Sequence, residues 1–315
     1  MKPLLNQNQY INLTQTLKKE LEPLEITQPQ KNIIIDNKTL LELFLNSKQI
    51  EGCSKKTIEY YKKTITTLIN TTNKKIENIQ TQDIRLYLQK YKTERNTTKT
   101  TIDNMRRIFS SFFSWLEEED YILKNPVKRI HRIKTGRTIK ETLTDENLET
   151  LKDNANNIRD QTIIELLTST GIRVGELVNL NKKDINLHER ECKVLGKGEA
   201  ERIVYFDAKT KIHIEKYLKT RTDNNPALFV TLKKPHNRLG ITGVEKTLQK
   251  LGQKTGIPHV HPHKFRRTLA TNAINKGMPI EQVQKLLGHQ QIDTTLKYAL
   301  VQQKNVKISH QKYIS

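Results

Sequence analysis

Apolar residues recur along most of the chain at intervals of three and four, the spacing of one face of an α-helix. The strongest run is Ile102, Met105, Phe109, Phe112, Phe113 and Leu116. It predicts a long helix with an aromatic seam along one side, best used for core packing rather than base stacking. Upstream, Ser54 is placed to cap a helix whose inner face carries Ile58, Tyr61, Ile65, Leu68 and Ile69. Thr81 is placed to cap the next helix, with Ile84, Tyr87, Leu88 and Tyr91 turned inward. A shorter helix at Leu40–Leu45 makes four, so residues 37–126 read as one helical domain. Residues 1–36 hold only short apolar clusters among Gln, Asn and Pro. They read as an N-terminal arm with one helix around Leu13–Leu21.

The periodicity fades after Asn125-Pro126. Residues 127–140 are rich in Lys and Arg and read as a basic linker. Helical signals resume at Thr144-Asp-Glu, a cap followed by an acidic first turn. They continue through Ile163–Leu167, which Gly171 terminates, and restart at Arg173-Val-Gly-Glu-Leu177. The period then changes. Asp184–Leu187, Glu191–Leu195 and Arg202–Phe206 are short strand-like runs bounded by turn residues, and Gly196-Lys197-Gly198 falls in the turn between the last two. After Phe206 the helical pattern returns, punctuated by Pro226, Pro235 and Pro258. The expected fold is therefore mainly α: an N-terminal helical domain, then a helical domain over 141–300 with a small antiparallel β-sheet, and a tail over 301–315.

Charge narrows the partner. The 315 residues include 55 Lys and Arg against 34 Asp and Glu, a net charge of +21. Such an excess points to a polyanion, nucleic acid ahead of membrane. The longest apolar runs, such as Ile203-Val-Tyr-Phe206, are four residues, against roughly 20 for a bilayer span. Residues 1–20 lack the apolar core of a secretory leader. Cys53 and Cys192 make neither a disulfide framework nor a metal-type pair, so a cytoplasmic protein without a membrane partner is expected. On the outer faces of the helical domain lie Lys55, Lys56, Lys62, Lys63, Lys99, Arg106 and Arg107, and along the linker lie Lys128, Arg129, Arg132 and Lys134. These are candidate phosphate contacts; an ordinary solvated surface is the alternative.

Familiar nucleotide and hydrolase signatures are missing: there is no Walker loop, dinucleotide glycine fingerprint or serine elbow. Histidines gather at His259, His261 and His263, with His289 further on. Arg266 and Arg267 follow too closely for a dication to be welcome there, and no carboxylate or Cys accompanies the group, so no metal site is expected. Phosphate chemistry fits better. His263 and Arg266 are three apart and share a helical face, and a guanidinium binds two phosphate oxygens at once. Tyr298 lies nine residues past His289. A phenol of pKa about 10 needs a cationic site to become a nucleophile. Arginines neutralise the charge that builds in a phosphoryl-transfer transition state, and a lysine can protonate the leaving oxygen.

Taken in order, Thr170-Gly-Ile-Arg173-Val-Gly-Glu176-Leu177, Val194-Leu-Gly-Lys197-Gly, Pro262-His263-Lys-Phe-Arg266-Arg-Thr-Leu-Ala-Thr271, Leu286-Leu-Gly-His289 and Thr294-Thr-Leu-Lys-Tyr298 resemble the tyrosine site-specific recombinases, the Xer and phage-integrase family. From Arg173 to Tyr298 the spacings are 24, 66, 3, 23 and 9 residues, and the resemblance covers about residues 38–300. It implies site-specific DNA recombination through a 3′-phosphotyrosyl intermediate, with no metal, ATP or other cofactor. It implies Tyr298 as nucleophile, Arg173 and Arg266 as phosphate clamps, Lys197 as acid toward the leaving 5′-hydroxyl, His263 and His289 as phosphate hydrogen-bonding partners, and Glu176 as a supporting residue. The implied partners are a double-stranded DNA core site, gripped by both domains, and further copies of the chain, forming a tetramer on two sites. Arg267 stands where many relatives have histidine and is expected to add charge near the phosphate; His261 and Tyr313 are out of register. A type IB-like topoisomerase, a DNA-binding module without catalysis and a metal-dependent nuclease are the competing classes.

Overall fold

The aromatic seam organises the first part of the computed structural model, which describes residues 6–21, 35–134, 141–196 and 201–296. The chain divides into two units, Met1–Thr138 and Ile139–Ser315. Helix α1 (Gln7–Leu21) forms in the arm, with Tyr10, Leu13 and Leu17 exposed. Four helices follow: α2 (Asn37–Ile50), α3 (Lys55–Thr72), α4 (Thr81–Glu94) and α5 (Lys99–Glu118). Each of α2, α3 and α5 starts on a side-chain oxygen that accepts an amide of the first turn: Asp36 from Thr39, Ser54 from Thr57 and Thr98 from Thr101. On α5, Phe109, Phe112 and Phe113 are fully buried, so the seam is core. Phe44 of α2 meets Phe112 edge-on at 5.1 Å and lies nearly parallel to Tyr61 of α3 at 5.9 Å.

Thr81 is not the cap of α4. Gln80 holds that position and donates its N–H to Asp83 at 2.9 Å. The Thr81 hydroxyl instead donates to the carbonyl of Pro126 at 2.7 Å. It is one of several ties that fasten the basic stretch to this unit. Arg85 donates to the Arg129 carbonyl, and the Asp103 carboxylate accepts the Ile133 N–H at 3.0 Å while pairing with Arg106 at 2.9 Å. Val127 is buried in the core, and Ile130 and Ile133 pack against it. Residues 127–133, expected as linker, are thus attached to the first unit by contacts 30 to 45 positions apart in the chain. Such contacts leave no periodic trace.

In the second unit, α6 (Asp145–Asp153), α7 (Ile158–Thr170) and α8 (Val174–Asn179) precede a three-stranded antiparallel sheet of β1 (Ile185–Asn186), β2 (Glu191–Leu195) and β3 (Glu201–Tyr205), ordered β1-β2-β3. Cys192 pairs with Val204 and Val194 with Arg202, so Cys192, Val194 and Val204 face inward and are buried. Helices α9 (Ala208–Lys219), α10 (Ile241–Thr255), α11 (Pro262–Asn275), α12 (Ile280–Leu287) and α13 (Ile292–Leu296) complete the unit. Thr144 caps α6 as expected, over the acidic pair Asp145 and Glu146. Helix α7 is apolar on nearly every side, with Ile163, Ile164, Leu166 and Leu167 inaccessible, as a central helix must be. It ends at Gly171 with φ +61°, where a Cβ would stand 2.5 Å from the Leu269 side chain. Among the described residues, no helix is long and apolar enough to cross a membrane.

The packing assigns a clear cost to the seam. Phe112→Ala is expected to lose about 3–5 kcal/mol, read from urea unfolding, while Leu123→Ala at a fully exposed position should leave the midpoint unchanged.

Candidate active site

The site is built around the C-terminal end of α12. A helix leaves its last carbonyls without intrahelical partners and carries partial negative charge there. Here three consecutive carbonyls are bound by three arginines from elsewhere in the unit. Arg202 Nε of β3 donates to Leu286 O at 3.2 Å, Arg266 Nη2 of α11 to Leu287 O at 2.6 Å, and Arg173 Nη2, at the start of α8, to Gly288 O at 2.9 Å. Arg266 also donates to the Gly171 carbonyl at 2.9 Å, joining the end of α7 to the end of α12.

Glu176 holds two of these cations, Arg173 and Arg202, together. It lies on the first turn of α8 and is 5% exposed. It accepts the Arg173 N–H and Arg173 Nη1, both at 2.8 Å, and both Nη atoms of Arg202 at 2.7 Å. Burial pushes the Glu176 carboxyl pKa up, but the hydrogen bonds and charges of Arg202 and Arg173 outweigh it and hold the group below the usual carboxylate range. Glu176 therefore remains anionic and fixes both guanidinium planes. A guanidinium has five N–H donors. The Arg173 side chain uses one Nη1 and one Nη2 hydrogen on Glu176 and Gly288 and is 38% exposed, so it retains capacity for an anion.

Gly288 ends α12 with φ +63°. A Cβ there would sit 2.9 Å from Arg202 Cδ and 3.2 Å from its Cζ, so both the backbone and the arginine require glycine. His289 follows. Its Nδ1 lies 2.8 Å from Thr295 Oγ1 on α13, and its carbonyl accepts from Gln284 at 3.0 Å. Burial, then the positive charges of Arg266, Arg173 and Arg202 and the neighbouring His263, lower the His289 pKa to about 4. The ring is neutral at pH 7. Arg173, Gly196, Arg202, Lys285, Gly288 and His289 are among the residues that line a cavity of about 580 Å³.

The structure thus brings together Arg173, Glu176, Arg266 and His289, with His263 one turn before Arg266 on α11. Lys197 and Tyr298 lie outside the described residues. Arg267 departs from expectation: its guanidinium donates through Nε and Nη2 to the Glu141 carbonyl, not toward the cavity. Of the surface cations, Lys62, Lys63, Lys99, Arg107, Lys128, Arg129, Arg132 and Lys134 are exposed. Arg106 is half-buried on Asp103, and Lys128 pairs with Glu117 at 2.9 Å. Among the described residues, no three His, Cys, Asp or Glu side chains stand together as a metal site would need. Sequence reading missed Arg202. The available signal was its alternation with Val204 on the inward side of β3, where a cation needs a buried carboxylate.

Residues 141–305 match the phage integrase family, and residues 40–123 match the phage integrase N-terminal SAM-like domain. The tyrosine recombinase XerC of Staphylococcus aureus is 36% identical over 203 residues, covering 61% of this chain and 67% of the relative. The crystal structure of XerA recombinase superposes with TM-score 0.50 at 25% identity, over 88% of this chain and 99% of that one. The XerH site-specific recombinase bound to a palindromic difH substrate, a post-cleavage complex, gives TM-score 0.70 at 19% identity over 88% and 85%, a likeness of fold.

Two outcomes follow from the charge network. Arg202→Ala removes one partner of a buried carboxylate and should cost about 3 kcal/mol in thermal or urea unfolding. His289 is a group with depressed affinity for its proton: between its ordinary value near 6.5 and about 4 the unfolded chain binds a proton that the folded one refuses, so stability falls as pH falls through that window. His289→Asn should flatten this limb, measured as the difference in Tm between the two proteins from pH 7 to pH 4.

Proposed function

The chain belongs to the phage integrase family and is a site-specific DNA recombinase of the tyrosine type, and on that premise we propose that Tyr298 cuts one DNA strand at a phosphate held in the cavity beside Arg173 and His289. The Tyr298 phenolate attacks phosphorus, a 3′-phosphotyrosyl bond forms, and the bond to the 5′ oxygen breaks. Lys197 gives that oxygen its proton. A 5′-hydroxyl from a partner strand then attacks the phosphotyrosyl bond, returns the phenol and leaves a joined strand. The ester energy is conserved through both steps, so the cycle needs neither ATP nor a joining cofactor.

The observation that carries this reading is the cluster of Arg173, Arg202 and Arg266 on one helix end, next to an uncharged histidine. Charge that develops on the phosphate oxygens meets donors already fixed by Glu176 and by the α12 carbonyls. Preorganised donors of this kind supply the largest part of such catalysis. Arg173 and Arg266 clamp the non-bridging oxygens, and His263 and His289 add hydrogen bonds. Glu176 holds Arg173 without touching the substrate. Double-stranded DNA is the partner. Lys62, Lys63, Lys99, Arg106, Arg107 and the basic residues from Lys128 to Lys134 supply non-specific phosphate contacts. Protomers assemble as a tetramer on two core sites, in the cytoplasm.

The test starts from a duplex selected for binding out of a random-sequence pool. With a nick beside the cleavage point and EDTA present, the protein should form a protease-sensitive covalent adduct. Tyr298→Phe should abolish the adduct and keep DNA retention. An adduct persisting in that variant would remove Tyr298 as nucleophile, and relaxation of supercoiled plasmid without any selected site would favour a topoisomerase.

A further inference from the structure

Thr295 sits three residues before Tyr298 and is wholly inaccessible to solvent. It belongs to α13, a helix of five residues, and its hydroxyl lies 2.8 Å from His289 Nδ1. Of this pair, His289 lines the proposed phosphate cavity and Thr295 stands behind it.

We propose that Thr295 is a positioning residue for the phosphoryl-transfer step: its hydroxyl donates to His289 Nδ1, which fixes the ring proton on Nε2 and directs that N–H to the scissile phosphate. The proposal rests on reading the cavity as the phosphate site. An uncharged imidazole has one donor nitrogen and one acceptor nitrogen. If Nδ1 carried the hydrogen and gave it to Thr295, Nε2 would turn a lone pair toward phosphate oxygens, acceptor against acceptor. The opposite assignment satisfies both nitrogens at once. The charged surroundings favour an uncharged ring: Arg266 and His263 face it from α11, Arg173 from the start of α8 and Arg202 from β3. Glu281 and Lys285 of α12 and Glu201 of β3 line the same cavity.

The same bond has a second effect. It joins the histidine after α12 to the turn of helix that leads in sequence to the nucleophile. A change in the α13 position therefore alters the histidine donor.

The tautomer is directly observable. Protein labelled with 15N at histidine, without DNA, should show His289 uncharged at pH 7 with its proton on Nε2, the signal being assigned by its loss in His289→Gln. Thr295→Ser should preserve that state. Thr295→Val should give a mixed or Nδ1-protonated ring whose proton affinity rises, because the bond that favoured the uncharged form is gone. On the selected nicked duplex, the Val variant should form adduct about 10- to 100-fold more slowly, with DNA retention unchanged and the Ser variant close to wild type. A wild-type ring protonated on Nδ1, or a Val variant with the wild-type tautomer, overturns the proposal. The wild-type spectrum alone decides the first of these, whether or not the Val variant folds. Failure of the wild-type protein to form any adduct would instead overturn the phosphoryl-transfer reading, while the spectra still decide what Thr295 does to His289.

Discussion

Three arginines bound to three successive carbonyls at the end of one helix are the constraint on which the rest of the site depends. Each guanidinium comes from a different element: the start of α8, strand β3 and helix α11. The helix end gives them a common anchor, and its partial negative charge offsets part of their repulsion. Glu176 adds compensation for two of them, Arg173 and Arg202, through three hydrogen bonds to their guanidinium groups. Removing water from so many charges is costly unless every partner is in place. The close geometry is therefore a condition for burying the cluster at all, and the same rigidity is what a phosphoryl-transfer site needs.

The balance of charge explains the histidine. Arginines around His289 oppose a further proton, and burial opposes it more strongly. An imidazole in that setting works by hydrogen bonding rather than as a cation. The arginines carry the charge of the site and the histidine carries direction.

Much of this was legible in the chain. The long seam of α5 declared itself because six apolar residues at helical spacing leave few other solutions. Glycine at 171 and the threonine at 144 marked helix boundaries through their backbone preferences. Arg173, Glu176, Arg266 and His289 were found from motif order, and the structure brings them together. What escaped notice depended on partners far away in the chain. Thr81 reads as a cap from its residue type, yet its hydroxyl serves Pro126, and only the folded chain brings that carbonyl near. Residues 127–133 read as a linker because their Lys and Arg content dominates the pattern; the burial of Val127, with Ile130 and Ile133 against it, and the polar ties to α4 and α5 depend on partners distant in the chain. Arg202 was hidden for a related reason: its partners Glu176 and Leu286 lie 26 and 84 positions away.

Gly288 limits how this region can vary. A methyl group there would displace the Arg202 side chain and strain the backbone that delivers His289. The harm would spread to Glu176 and Arg173, neither of them altered. Such a protein would keep every diagnostic position and still lose the arrangement of charges around them. Sequence inventories that score only the reacting groups would count it as competent, so the glycine that ends α12 belongs among the criteria by which working members are separated from relics.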